Sequence, residues 1–246
     1  MKMLVVKTLM VAALTTVLAA APAAAAPSVR APGAQGPLGD ERLSDEKTVT
    51  RWAHPAQRAP VRSAPRRGAR RVATLNYWTE DRRAEVYLVL SSRRVAEATW
   101  LRIRVPGRPN GRTGWVRRDA LGALHVVTTQ LVVDRRTAHA TLYRDGKAIW
   151  HAPVGVGAPS TPTPGGRFYI REKLRGFGGA YGPWAFGTSA YSTLSDWPGG
   201  GVVGIHGTNQ PGLLPGRPSH GCIRVRNPDI LRLARLMPIG TPVHIV

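Results

Sequence analysis

The chain has one cysteine, Cys222, set in the run Ser219-His220-Gly221-Cys222-Ile223-Arg224. A thiol is a strong nucleophile only once its proton is gone, and an imidazole within reach can take that proton. His220 precedes the sulfur by two residues; on a strand side chains two apart share a face, and a turn also allows the pairing. A second histidine, His206, lies upstream in Gly204-Ile205-His206-Gly207-Thr208-Asn209. Gly221 leaves the backbone bare, so the N–H groups of Gly221 and Cys222 can come close to a carbonyl oxygen. Sulfur, imidazole and amide donors are the parts of an acyl-transfer site. The plainer reading is an inert core cysteine. The neighbours of Cys222 argue against it, because His, Gly and Arg in a Gly- and Pro-rich stretch make a shaped loop rather than the centre of an apolar strand. Metal binding is disfavoured: one Cys and two His could supply three ligands, but no paired cysteines or closely spaced histidines accompany them. No metal or organic cofactor is called for.

The elements around this stretch are short and β-prone. His125–Val133 and Ala138–Tyr143 read as strands, Asp145-Gly146 as a hairpin turn, and Ala148–Val154 as the returning strand. Phe168-Tyr169-Ile170 follows a Pro- and Gly-rich loop. Residues 174–200 are rich in Gly and aromatics, which suits a flap or cleft wall and not a helix. One helix follows the cysteine. Asn227 is placed to cap it and Pro228 fits its first turn, with Ile230, Leu233, Ala234 and Met237 on one face and Gly240 as the stop. Thr241–Val246 reads as a last strand.

The segment from His206-Gly-Thr-Asn209 to Ser219–Arg224, with its spacing, resembles the signature of the L,D-transpeptidases with a YkuD-type catalytic domain, over about residues 127–246. That resemblance implies a mainly β fold: a YkuD-like β-sandwich with one helix on its C-terminal side. It also implies roles. Cys222 is the nucleophile and His220 the general base. His206 shapes the cleft or handles a proton. The amides of Gly221 and Cys222 hold the oxyanion. Ser219 orients His220, and Arg224 meets a carboxylate of the substrate. Tyr181 and Tyr191 are candidates for the substrate-binding wall. The implied reaction is attack on the third residue of a peptidoglycan tetrapeptide stem. D-alanine leaves, a thioester forms, and an amine of a neighbouring stem makes a 3–3 cross-link. Water in place of the amine gives L,D-carboxypeptidase activity.

The remainder of the chain bears on location and partners. Residues 1–26 carry Lys2 and Lys7, an apolar run through Leu18 and an Ala-rich end, the pattern of an export signal. The run is short for a membrane span, so the membrane is met only during export and the mature chain lies in the periplasm or cell wall. Residues 27–70 are Ser, Pro, Ala, Gly and Arg with few large apolar groups, and read as a basic disordered linker. Residues 71–122 hold Glu85–Leu90, Trp100–Val105 and Gly114-Trp115-Val116, and resemble a bacterial SH3-like module, a small β-barrel. The catalytic domain is expected over 125–246. The formal charge of +21 suits an anionic wall polymer, acidic lipid or nucleic acid. An exported monomer acting on stem peptides, with no nucleic-acid partner, fits the pattern best. The competing reading is a non-catalytic wall-binding protein that works through the linker and the small module.

Overall fold

Short β-prone runs broken by Gly and Pro turns build two sheets. The computed structural model describes residues 39–196 and 198–246. The export signal expected at 1–26, and residues 27–38 of the linker, lie outside the described residues.

The first sheet holds β1 (Glu41–Arg42), β2 (Thr50–Ala53), β3 (Pro60–Arg62), β4 (Arg71–Thr74), β5 (Tyr87–Val95), β6 (Ala98–Arg104), β7 (Thr113–Arg117) and β8 (His125–Val127). Its order is β4-β3-β7-β6-β5-β2-β8, with β1 pairing beside β5. That order is an open path, so the closed small barrel expected for 71–122 is not formed. Part of the reading of 27–70 is also corrected, since β1, β2 and β3 are strands of this sheet. Composition misled because these strands contribute backbone more than bulk: β2 bonds β5 on one side and β8 on the other. The few apolar groups present are well used. Ala53 and Val61 are fully buried, and Trp52 stacks on His125 with ring centroids 4.3 Å apart. The long strand expected from His125 breaks at Thr128, so its first half belongs to the first sheet.

The second sheet carries β9 (Thr129–Asp134), β10 (His139–Arg144), β11 (Lys147–Pro153), β12 (Gly155–Gly157), β13 (Gly166–Gly178), β14 (Gly182–Tyr191), β15 (Val202–His206), β16 (Gly216–Ser219), β17 (Ile223–Arg224) and β18 (Pro242–Ile245). The order is β11-β10-β9-β18-β13-β14-β15-β17-β12-β16. Asp145 and Gly146 both take positive φ, 51° and 74°, and close the β10–β11 hairpin as expected. The sheet curls around one core. Leu131, Leu142 and Trp150 from one half meet Phe186, Ile205 and Ile223 from the other, with Phe168 and Ile170 of β13 between them.

The helix α1 (Asn227–Leu236) seals this core with Ile230 and Leu233, and Met237 follows at its end. Asn227 does not cap it. Its side-chain oxygen instead accepts the N–H of Thr208 at 3.0 Å, which ties the helix start to the segment after His206. Among the described residues, no helix is long and apolar enough to cross a membrane.

The two sheets are joined through β13. The Tyr169 hydroxyl donates to the carbonyl of Val86 at 2.9 Å, and Val86, Leu88 and Tyr169 form a small shared core with Trp52 and Ile239 packed on it. Beside it, buried Arg171 meets three acidic oxygens of the first-sheet segment: Glu85 Oε1 at 2.9 Å, Glu85 Oε2, and Glu80 Oε2 at 2.9 Å.

Candidate active site

β15 and β17 run parallel, with His206 opposite Arg224, and Cys222 sits at the entry to β17. This places the sulfur beside β15. The N–H of Gly204 points at Cys222 Sγ at 3.4 Å. A methyl group added to Gly204 would lie 3.7 Å from His206 Cδ2 and 3.8 Å from Cys222 Sγ, so imidazole and thiol flank the same glycine. Both line a cleft of about 320 Å³ with Asp81, Leu174, Tyr181 and Gly187 among its other walls. The Tyr181 ring leans on His206, centroids 4.9 Å apart.

His206 is buried, and its Nδ1 lies 2.6 Å from the carbonyl oxygen of Gly207. A carbonyl only accepts, so Nδ1 carries the hydrogen and the lone pair is on Nε2. Burial pushes the imidazole pKa down to about 4; the Gly207 carbonyl opposes this and the Arg224 charge assists it. Burial likewise pushes the Cys222 thiol up, against the Gly204 N–H and the Arg224 charge. Near neutral pH both groups are therefore uncharged.

The cysteine loop is held by its carbonyls. Ser219 O accepts from the Ala158 N–H at 2.8 Å, and His220 O from the Ser192 hydroxyl at 3.3 Å. Gly221 O accepts from the Thr163 hydroxyl at 2.9 Å, and Cys222 O from the Ser219 hydroxyl at 2.5 Å. Thr163 is fixed in turn by the N–H of Gly157 at 2.8 Å. With the carbonyls tied, the loop has one arrangement. Arg108 of the first sheet braces the neighbouring segment, donating to the carbonyls of Ser192 at 2.7 Å, Leu194 at 2.9 Å and Gly200 at 2.9 Å.

Several sequence expectations change here. His220 is exposed and is not among the residues lining the Cys222 cleft. His220 and Gly221 form a bend, with Gly221 at φ +120°, so strand alternation does not run through to Cys222. Ser219 is buried and serves the loop itself, accepting the Gly221 N–H at 3.2 Å while donating to Cys222 O. The Gly221 amide is thus engaged. Tyr181 does line the cleft, whereas Tyr191 is buried, bonded to Glu80 and to Arg171 at 3.1 Å. Arg224 is half-buried, donates to Gln210 Oε1 at 3.1 Å, and does not line the cleft. Asp81 and Arg108 escaped sequence reading because each reaches the site from the other sheet. Among the described residues, no group of three or more His, Cys, Asp or Glu is gathered to hold a metal.

The class the fold and site define is a mainly β domain whose single cysteine shares a cleft with a buried histidine. A family model for the L,D-transpeptidase catalytic domain, YkuD, matches residues 128–245. YkuD of Bacillus subtilis, named as an L,D-transpeptidase, is 36% identical over 105 residues, which are 43% of this chain and 58% of that protein. YqjB of Bacillus subtilis, with the same family name, is 30% identical over 124 residues, covering 47% of this chain and 69% of its own length. Among solved structures, an Enterococcus faecium L,D-transpeptidase is 30% identical over 48% of this chain and 49% of that one, with a TM-score of 0.38. The chain belongs to the L,D-transpeptidase family with a YkuD-type catalytic domain. It spans little more than half the length of YkuD.

Proposed function

We propose that the chain is an exported peptidoglycan L,D-transpeptidase that works through a thioester on Cys222. His206 Nε2 takes the thiol proton as sulfur attacks the carbonyl of the third residue of a tetrapeptide stem. The resulting oxyanion is met by the Cys222 N–H, for which no acceptor is found among the described residues; the Gly221 N–H is spent on Ser219. Collapse expels D-alanine, whose amine takes the proton from His206. The amine of a second stem then attacks the thioester, His206 again moves the proton, and a 3–3 cross-link results. Covalent catalysis of this kind replaces one hard step with two easier ones. The observation that carries the reading is the shared placement of neutral His206 and Cys222 on one open cleft. His206, rather than His220, is the base.

The test is mass analysis of the mature protein incubated with tetrapeptide-stem fragments. An adduct on Cys222 with loss of D-alanine is expected, and Cys222→Ala must abolish it. Absence of any adduct around neutral pH removes the thioester mechanism. Water competing with the amine would give L,D-carboxypeptidase turnover at the same site, and the ratio of cross-linked to trimmed product measures it.

The first sheet, proposed as the SH3-like part of the chain, suits engagement of an anionic wall polymer. Two adjoining clefts, of about 390 and 420 Å³, share Arg58, Ala59, Pro60 and Arg62, with Arg67 and Arg117 on one and Arg71 on the other. Retention on purified walls that weakens with salt, and weakens further in R58A/R62A, is the expected result; unchanged retention removes this role.

A further inference from the structure

Asp81 is the one formally charged residue among the described residues that line the Cys222 cleft, since His206 is neutral there. The remaining walls are Leu174, Ala185, Phe186, Val202, aromatic Tyr181 and glycine backbone. Asp81 comes from the first sheet. It sits in a small loop pinned by a bridge between Trp78 and Ala84, and by the Thr79 N–H on the Arg83 carbonyl at 2.8 Å. Arg82 and Arg83 follow it in sequence but do not line the cleft. In a chain of formal charge +21, a lone carboxylate on a mostly apolar wall favours a cation.

A second acid stands behind the first. Glu172 is 1% exposed, and its Oε2 accepts the Thr79 hydroxyl at 2.5 Å. Its Oε1 has no hydrogen-bond partner among the described residues. Gly187 forms the cleft wall over that oxygen: a Cβ at Gly187 would fall 2.2 Å from Glu172 Oε1. The buried oxygen is thus parted from the cleft by a wall with no side chain. Glu172 also interacts directly with the Asp81 side chain, by charge and by a hydrogen bond, so the buried acid steadies the carboxyl that faces the cleft.

We propose that Asp81, backed by Glu172, is the seat for a primary ammonium group of the stem peptide that enters the Cys222 cleft. This rests on the transpeptidase reading above. In that reaction both partners carry such a group, the donor on its third residue and the acceptor as the incoming amine. Held on the carboxylate, a donor ammonium would set the third-residue carbonyl against the sulfur. An acceptor ammonium would instead be concentrated beside the thioester before losing its proton to His206.

The experiment uses the full mature chain as wild type, D81N and D81K. Asp81 is exposed, so these variants keep the fold, and unchanged melting temperatures verify it. Acylation of Cys222 is timed by mass analysis with tetrapeptide stems whose third residue bears a free or an N-acetylated side-chain amine. A donor seat predicts that wild type prefers the free amine by about 10-fold in kcat/KM, the worth of one charge-assisted bond. D81N erases the preference through KM, and D81K reverses it. An acceptor seat predicts equal acylation, but partition of a preformed thioester shifting about 10-fold from amine transfer to hydrolysis in D81N. Either result supports the proposal. If a thioester forms on Cys222 and all three proteins treat the stems alike in both steps, the ammonium seat is overturned while the transpeptidase reading stands. If wild type forms no thioester, both fall.

Discussion

His206 Nδ1 donates to the carbonyl of Gly207 at 2.6 Å, and this bond underlies the proposal that His206 is the base. It fixes the ring tautomer and leaves the lone pair on Nε2 of a residue that lines the same cleft as Cys222. His206→Ala should slow thioester formation by about 100- to 10,000-fold, the usual contribution of a positioned base. His220→Ala should leave it within a few-fold of wild type. Single-turnover acylation read by mass analysis checks both. The reverse ranking would return the base to His220.

The same imidazole sets an acid limit. With its pKa pushed down to about 4, His206 stays a base well below the ordinary histidine range, and acylation should fail only as the pH drops through about 4. A rate profile that falls near 6.5, where an unperturbed imidazole titrates, would contradict this.

Ser219 is expected to act as a positioning residue. Its hydroxyl spans Gly221 N–H and Cys222 O, so Ser219→Ala strips a partner from two backbone groups in a tight bend. Leaving a buried polar group unpaired costs about 1–3 kcal/mol. The melting temperature should fall by several degrees, and the acylation kcat should drop about 10-fold with KM nearly unchanged, because the sulfur is misplaced without loss of cleft contacts. A fall in stability with no change in kcat would make Ser219 structural only.

Much of this site is local in sequence, which is why it was legible there. Cys222 and His206 were read as candidates from one stretch, and the Asp145-Gly146 hairpin and the apolar face of α1 each from its own local pattern. Three features were not legible, each for a physical reason. The local path at His220 was open between strand and turn, and Gly221 with its positive φ makes it a bend. Residues 39–70 looked too polar to order, yet their order comes from ladder bonds to β5 and β8 and from Trp52, not from a run of apolar side chains. Tyr191 looked like a cleft aromatic, but its hydroxyl belongs to an ionic cluster whose other members, Glu80 and Glu85, come from a distant stretch. Contacts between segments so far apart leave no periodicity to read.

That cluster gives a prediction about the joint between the sheets. Arg171 and Glu85 are each only 3% exposed in their side chains. Arg171→Met removes the cation and leaves Glu85 buried without its counter-charge, which costs about 3–5 kcal/mol. Chemical denaturation should show that loss, and the double variant Arg171→Met/Glu85→Gln should recover part of it. Additive losses in the double variant would mean the two side chains act independently.

Glu172 gives the stability a pH dependence of defined sign. Burial and the facing Asp81 push its pKa up to about 7, against the Thr79 hydroxyl and the Arg171 charge. In the unfolded chain a glutamate titrates near 4.3. Between those values the folded protein holds a proton that the unfolded chain has lost. The contribution of Glu172 is therefore fully present below the unfolded value and is lost as the pH rises through about 7. His206 works in the opposite direction over an overlapping range, since its folded pKa lies below the unfolded one. The Glu172 effect is accordingly read as a difference between proteins. Glu172→Gln keeps the shape of the protonated acid without its titration. It should match wild type in acid and become progressively more stable than wild type as the pH rises towards and past 7. Denaturation curves of the two proteins across that interval measure the divergence, and parallel curves would place the proton elsewhere than on Glu172.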